Sequence, residues 1–203
     1  MKNYQTDYIE YLSKYSENNQ IHVWIGGSFL NNSATNFSDI DISVFCSYNK
    51  LKKLIYDYGH PVFISYTGNP KGILIVIYEN GVALDLEIIK EIDISSDRYF
   101  HFEDIKNIEY TRNENLCESF AFYNDEAYMM SRLFHRSIIK YLSGKKTLGI
   151  NILNEILLFL NQDLIINEKD YSNTFLKTLD VFSSKNYINP KYYNILYELY
   201  AQL

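Results

Sequence analysis

The chain of 203 residues is long enough for one large domain or two small ones, and its hydrophobic fraction of 47% suffices for a buried core. A formal net charge of -6 argues against a broad nucleic-acid-binding surface and is compatible with a cationic small substrate. Cys46 and Cys117 lack metal-ligand spacing, and the sequence shows neither the apolar core of a signal peptide nor a run of membrane length, so a globular, cytoplasmic protein is expected.

A helix and a short strand are the first predicted elements. Tyrosines recur at helical spacing over residues 3–17, which predicts an amphipathic helix, and the apolar run at 21–25 is β-prone. That run stops at Gly26 and Gly27, where the backbone can approach a bound anion closely. Ser28 adds a hydroxyl beside N–H groups that a following helical turn would leave unpaired. The turn therefore predicts a phosphate site at Gly26, Gly27 and Ser28.

The next strand carries two aspartates. Over residues 39–45, period two places Asp39, Asp41 and Ser43 on one face and the apolar side chains on the other. Neighbouring carboxylates repel each other unless positive charge lies between them, and Mg²⁺ binds one or two carboxylates together with substrate phosphates. A magnesium site at these aspartates is one interpretation. The alternative is a plain glycine turn followed by an edge strand whose aspartates face solvent.

Further strands follow, and the last of them carries two more carboxylates. The dipeptide Asn80-Gly81 is a strong signal for a hairpin between the last two β-prone runs. Period two places Asp85 and Glu87 on one face of the final strand. Glu87 is then a general base, a contact for a substrate amine, or a carboxylate at the rim that touches nothing. The predicted helix and strands of this part are residues 49–58, 62–66, 72–78 and 82–89.

The pattern weakens from residue 91 to residue 117, so the boundary is placed between a domain at 1–117 and a helical domain at 118–203. Asn124 is the predicted N-cap of a helix that ends near Gly144. Three further helices, at 147–163, at 171–183 and after Asn189-Pro190, complete a predicted C-terminal helical bundle.

A row of cations lies on the first helix of this bundle. Arg132, Arg136 and Lys140 recur every four residues and therefore share one face of the helix. The row could meet the triphosphate of a nucleotide, with Arg132 and Arg136 as contacts, or it could be a solvated face. The spacing alone leaves both interpretations open.

The order of the motifs resembles a known signature. Gly26-Gly27-Ser28, a spacer of ten residues and Asp39-Ile40-Asp41 are similar to the signature of the DNA polymerase beta type nucleotidyltransferase superfamily. The third carboxylate of that family lies between apolar residues on a later strand, as Asp85 does here. The resemblance covers roughly the first half of the chain. It implies an α+β fold with a minimal mixed sheet and flanking helices, and Mg²⁺ held by Asp39, Asp41 and Asp85.

The antibiotic nucleotidyltransferases of this superfamily place a helical region after the catalytic domain. Similarity to them implies transfer of a nucleoside monophosphate from an NTP, ATP by preference, to a hydroxyl of an aminoglycoside- or lincosamide-like acceptor. Gly27 and Ser28 would then fix the phosphates. The expected partners are the nucleotide and a small acceptor, with a homodimer left open and neither a membrane nor a nucleic acid.

Two alternative functions are compatible with the same sequence motifs. The first is an antitoxin-like protein that binds or AMPylates a toxin, although such proteins are close to the minimal domain alone. The second is a domain that kept the fold and lost the chemistry, although all three carboxylates and the Gly-Gly-Ser turn are present.

Overall fold

The computed structural model describes residues 4–68, 71–94, 96–105, 108–123, 125–165 and 167–203. The chain divides into two compact units, Met1–Phe122 and Tyr123–Leu203. The first unit combines a mixed sheet with helices, and the second consists of helices, so the α+β class expected from the sequence is confirmed. None of the described helices combines the length and the apolar character that crossing a bilayer would require.

The strands of the first unit form one sheet in the order β3-β4-β5-β2-β1-β6, and β7 pairs with β5. The β2–β5 and β1–β6 pairs are parallel, and the other pairs are antiparallel. The two central strands are therefore parallel neighbours that lie far apart in the sequence. The strands are β1 (His22–Ile25), β2 (Ile40–Phe45), β3 (Pro61–Tyr66), β4 (Leu74–Tyr78), β5 (Ala83–Ile92), β6 (Phe100–His101) and β7 (Tyr110–Arg112).

The helices of the first unit are α1 (Tyr4–Asn19), α2 (Gly27–Leu30), α3 (Tyr48–Tyr58) and α4 (Glu114–Phe120). Buried residues of α1, α3 and α4 pack with alternate strand residues into one apolar cluster. The face of the sheet that contributes to this cluster is called the core face. Because side chains alternate along a strand, the residues between these core residues, which include Asp41 and Asp85, lie on the opposite face. The core-face residues are Val23, Ile25, Ile40, Ile42, Val44, Ile64, Leu74, Val76, Tyr78, Leu84, Leu86 and Ile88.

The hairpin predicted at Asn80-Gly81 is confirmed. Strands β4 and β5 are antiparallel, and Gly81 has a φ of 83°, which favours glycine. The Asn80 side chain accepts a hydrogen bond from the backbone N–H of Val82 at 3.2 Å. This turn fixes the register of β5 and therefore the positions of its carboxylates.

The segment in which the sequence pattern weakens contains β6, β7 and α4. Cys117 and Phe120 of α4 are buried in the core of the first unit, and the backbone N–H of Phe122 donates to Ile64 O at 3.0 Å. Because α4 packs into the core of the first unit, the division falls between Phe122 and Tyr123, five residues later than the sequence analysis placed it. Helix α4 has only seven residues, about two turns, and this is too short for a clear periodic pattern in the sequence.

The second unit contains four helices among its described residues. The side chain of Asp125 caps the first by accepting from the N–H of Tyr128 at 2.9 Å, whereas the predicted cap, Asn124, lies outside the described residues. Asn189 caps the last helix, with Pro190 in its first turn. These caps satisfy N–H groups that have no partner within the helix. The helices are α5 (Glu126–Leu142), α6 (Lys146–Phe159), α7 (Glu168–Ser184) and α8 (Pro190–Tyr200).

Candidate active site

The register of β2 and β5 places two of the predicted carboxylates side by side. Asp41 of β2 lies directly opposite Asp85 of β5 in the parallel pair. Registered neighbours project to the same face, and adjacent strands are about 4.8 Å apart. Both aspartates line a cavity of about 230 Å³. We call this face of the sheet the site face, since it carries the charged residues and lies opposite the core face.

Gly27 lies against the carboxylate of Asp41. A β-carbon built on Gly27 would lie 2.6 Å from Cγ of Asp41 and would overlap its Oδ2. Gly27 also has a φ of 62°, and the N–H of Gly26 donates to Asp41 O at 3.0 Å. Glycine is therefore required at position 27 both for its backbone conformation and for the space that Asp41 occupies. The sequence predicted a bound phosphate at this turn, and that stays a prediction; the group that lies against Gly27 in the structure is the carboxylate of Asp41.

Ser28 and Asp39 are predicted site residues that do not belong to the described lining of the cavity. Ser28 lies in the helical turn of α2, and its carbonyl accepts from the N–H of Ser33 at 2.9 Å. Asp39 immediately precedes β2, and neither residue is among the described residues that line the cavity. Within the described part of the chain, no group of three His, Cys, Asp or Glu side chains is arranged to hold a metal ion. The roles of Ser28 in phosphate binding and of Asp39 in metal binding stay predictions.

Glu87 is held by three side chains. Its Oε2 accepts from the hydroxyl of Ser43 at 3.0 Å and from the hydroxyl of Tyr110 at 2.9 Å. Its Oε1 accepts from Nε of Arg112, with which it forms an ion pair. The Glu87 side chain is 13% exposed. The interpretation of Glu87 as a rim carboxylate that touches nothing is therefore wrong, because β7 and Ser43 supply partners that its own strand does not reveal.

Tyr110 and Arg112 of β7 line the cavity, and the sequence analysis identified neither of them as a site residue. Arg112 also donates from Nη1 to Lys71 O at 3.0 Å. Partial burial alone would lower the pKa of Arg112, but Glu87 and Tyr110 outweigh that effect and raise it. Burial and the hydrogen bond to Glu87 raise the pKa of Tyr110. The β-prone run Tyr110-Thr111-Arg112 is the signal that could have identified this strand.

Trp24 was also missed as a site residue. It lies opposite Ser43 across β1 and β2, and Ser43 lies opposite Glu87, so the three share one row of the site face. The indole stacks on the buried ring of His101, with centroids 4.7 Å apart and planes at 8°. Its position between Val23 and Ile25 places it on the site face, which is the signal that the sequence offered.

The described lining of the cavity is predominantly acidic. It includes the carboxylates of Asp41, Asp85, Glu87 and Asp104, and one basic side chain, Arg112. The remaining described lining residues are apolar, polar or glycine. A lining of this charge favours a cation or a cationic ligand.

The cations predicted to contact a nucleotide lie on α5 in the second unit. Arg132 is half-buried and Arg136 is exposed. All described residues that line the cavity belong to the first unit. The contact of Arg132 and Arg136 with phosphates stays a prediction.

No protein-family model matches the chain, and a search of curated proteins found no match. The resemblance to the polymerase beta type nucleotidyltransferases therefore depends on the motif residues themselves. The structure adds that Gly27, Asp41 and Asp85, which come from three separate elements, meet at one cavity.

Proposed function

We propose that the protein is a metal-dependent nucleotidyltransferase that transfers a nucleoside monophosphate from an NTP, ATP by preference, to a hydroxyl of a small molecule. The supporting observation is the juxtaposition of Asp41 and Asp85 in the β2–β5 register beside Gly27. Each of these residues matches one element of the family signature, and all three line the same cavity.

The residues present suit Mg²⁺. Two carboxylates in adjacent register repel each other, and a hard divalent cation with oxygen preference relieves that repulsion. Asp41 and Asp85 would hold the ion, with Asp39 as the predicted third ligand. When bound, Mg²⁺ would neutralise phosphate charge and lower the pKa of the acceptor hydroxyl.

The protein contributes positioning. As the family signature implies, Gly27 and Ser28 would fix the β- and γ-phosphates, with the α-phosphate near Asp41 and Asp85. In-line transfer depends mainly on this alignment and on charge neutralisation.

Glu87 belongs to the acceptor side of the site. Its carboxylate already accepts hydrogen bonds from Ser43, Tyr110 and Arg112, so it is a weaker candidate for a general base than a solvated carboxylate would be. Its location one row from Asp85 suits recognition of an acceptor. The acidic lining favours an acceptor with amine groups, such as an aminoglycoside- or lincosamide-like antibiotic.

Calorimetric titration and thermal shift with each NTP, with and without Mg²⁺, test the proposal. We expect Mg²⁺-dependent binding of ATP, and a nucleotide at 100 times its Kd stabilises the fold by about 2.7 kcal/mol. Incubation with α-labelled ATP and kanamycin A, streptomycin or lincomycin should then yield a product heavier by one nucleoside monophosphate.

Asp85→Asn should abolish the product, and Asp163→Asn, at an exposed position of the second unit, is the matched control. Absence of Mg²⁺-dependent binding for all NTPs would overturn the proposal.

A further inference from the structure

Two histidines lie against each other where strand β6 joins the sheet. Nδ1 of His22 on β1 is 3.4 Å from Nε2 of His101 on β6, and the two rings are stacked with their planes at 22°. His101 is 5% exposed, and His22 is half-buried. A neutral imidazole has one N–H and one acceptor nitrogen, so one of these rings can donate to the other. The pair therefore joins β6 to β1 through a side-chain hydrogen bond.

This hydrogen bond depends on the protonation of the two rings. An imidazolium ion carries hydrogen on both ring nitrogens and has no acceptor. The bond between His22 and His101 can therefore form while at least one ring is neutral, and it is lost when both are charged. Two imidazolium rings whose nitrogens are 3.4 Å apart also repel each other. The second proton taken up by the pair is thus the one that separates the rings.

Charged and titratable groups face the pair from the elements packed against it. Oε1 of Glu103 lies 3.3 Å from Nδ1 of His101. The centroid of the Tyr99 ring lies 5.0 Å from that of His22, and Glu17 of α1 favours the proton on His22. Carboxylates thus flank the pair on two sides. A first proton, which they attract, leaves the bond between the rings intact.

The pKa of His22 gives the direction of the pH dependence. Burial and, after it, the neighbouring His101 lower this pKa below its ordinary value of 6.5. Glu17 and a hydrogen bond with the backbone of Arg98 act in the opposite direction and are outweighed. A conformation with separated rings returns His22 to its ordinary pKa, so below about pH 6.5 it binds more protons than the paired conformation does. Separation of the rings is therefore favoured as the pH falls.

Strand β6 is short and lies at the end of the sheet. It has two residues and pairs with β1. Beside it, the N–H of Val23 donates to Tyr99 O at 2.8 Å. The chain that follows β6 lines the cavity with Asp104 and Ile105. Loss of the bond between the histidines therefore weakens the attachment of β6 and of this part of the cavity wall.

We propose that His22 and His101 form a pH-sensitive switch. While one ring is neutral, the pair holds β6 and the adjoining wall of the cavity on the sheet, and it releases them when both rings are protonated. Acidification then opens the cavity on the side of Asp104. The switch is a property of the fold and does not depend on the proposed transfer function.

Trp24 reports the state of the switch. It is the single tryptophan of the chain, and its indole stacks on His101 with ring centroids 4.7 Å apart. Departure of His101 exposes the indole to water, so the emission maximum should move to longer wavelength. We expect this shift in the wild-type chain as the pH falls from about 6.5 to about 5, with an unchanged far-ultraviolet circular dichroism spectrum. Absence of the shift would overturn the proposal.

His22→Gln keeps a side chain that forms hydrogen bonds and removes one of the two charges. Because the rings can then never both be charged, the acid shift in emission should disappear. His60→Gln is the matched control, since His60 is exposed and does not belong to the pair, and it should keep the wild-type shift. A shift that persists in His22→Gln contradicts the switch.

Hydrogen exchange of the wild-type chain provides a test that needs no variant. If the open state binds one more proton than the closed state, the protection factor of the Val23 amide should fall by up to about ten-fold per pH unit below pH 6.5. The amide of Leu86, a residue with no exposed surface, should keep its protection. Unchanged protection of Val23 between pH 7 and pH 5 would overturn the proposal. A parallel fall at Leu86 would also overturn it, because the whole sheet would then be opening.

Discussion

The two faces of the sheet in the first unit are made by the same strands and differ in burial and in charge. On β5, Leu84, Leu86 and Ile88 are fully buried against the helices, whereas Asp85 and Glu87, which lie between them, are half-buried and line the cavity. Apolar burial stabilises a fold, and adjacent carboxylates do the opposite. Alternation along a strand therefore separates the residues that hold the fold together from those available for chemistry.

The largest effect is expected from Asp85→Asn on the site face. Loss of a carboxylate that holds a catalytic ion should reduce transfer by at least about 10³-fold with every acceptor, because the charge that neutralises the phosphates is lost. Stability should stay the same or rise, since one of two neighbouring like charges is removed. Product formation and urea unfolding measure the two quantities. Activity within a few-fold of wild type would contradict the assignment of the site.

On the core face, the adjacent Leu86→Ala should have the complementary effect. Leu86 has no exposed surface, so truncation should lower the free energy of unfolding by about 2–5 kcal/mol. Leu86→Met conserves volume and should cost less than about 1.5 kcal/mol. Nucleotide affinity, measured by calorimetry at a temperature where Leu86→Ala is still folded, should change little. A large loss of affinity without loss of stability would show that the two faces are not separable.

Gly27→Ala tests the point at which the backbone meets the site face. The positive φ and the overlap with Asp41 should together cost about 1–3 kcal/mol of stability and displace the carboxylate. Gly68→Ala is the matched control, because Gly68 has a φ of 69° but nothing lies within 4 Å of its built β-carbon. The difference between the two variants isolates the contact with Asp41. Equal stability losses and intact nucleotide binding in both would show that the contact is unimportant.

The smallest effect on stability is expected from Glu87→Gln. The partner Arg112 is 38% exposed, so water screens the ion pair and its loss should cost at most about 1 kcal/mol. The acceptor KM should rise while nucleotide affinity is retained, because Glu87 lies one row from the aspartates. Steady-state kinetics separates the alternatives. A fall in kcat of about 10²–10⁴ at unchanged KM would make Glu87 a general base instead.

Several features of the first unit follow from the sequence because their causes are local. Period two placed Asp41 and Asp85 each on the face of its own strand that lies opposite the apolar residues, and Asn80-Gly81 identified the hairpin, since both depend on neighbouring residues only. The α+β class was implied by the resemblance to the nucleotidyltransferase signature, and the strands and helices of the structure confirm that class.

The tertiary structure alone decided which residues meet. Strand pairing determines that Asp41 lies opposite Asp85 rather than opposite Glu87, and it aligns Trp24 with Ser43. It also brings Arg112 of a three-residue strand to Glu87, although so short a strand has almost no periodic signal. The physical reason is that periodicity is a property of one strand, whereas register arises from hydrogen bonding and packing between segments distant in the sequence.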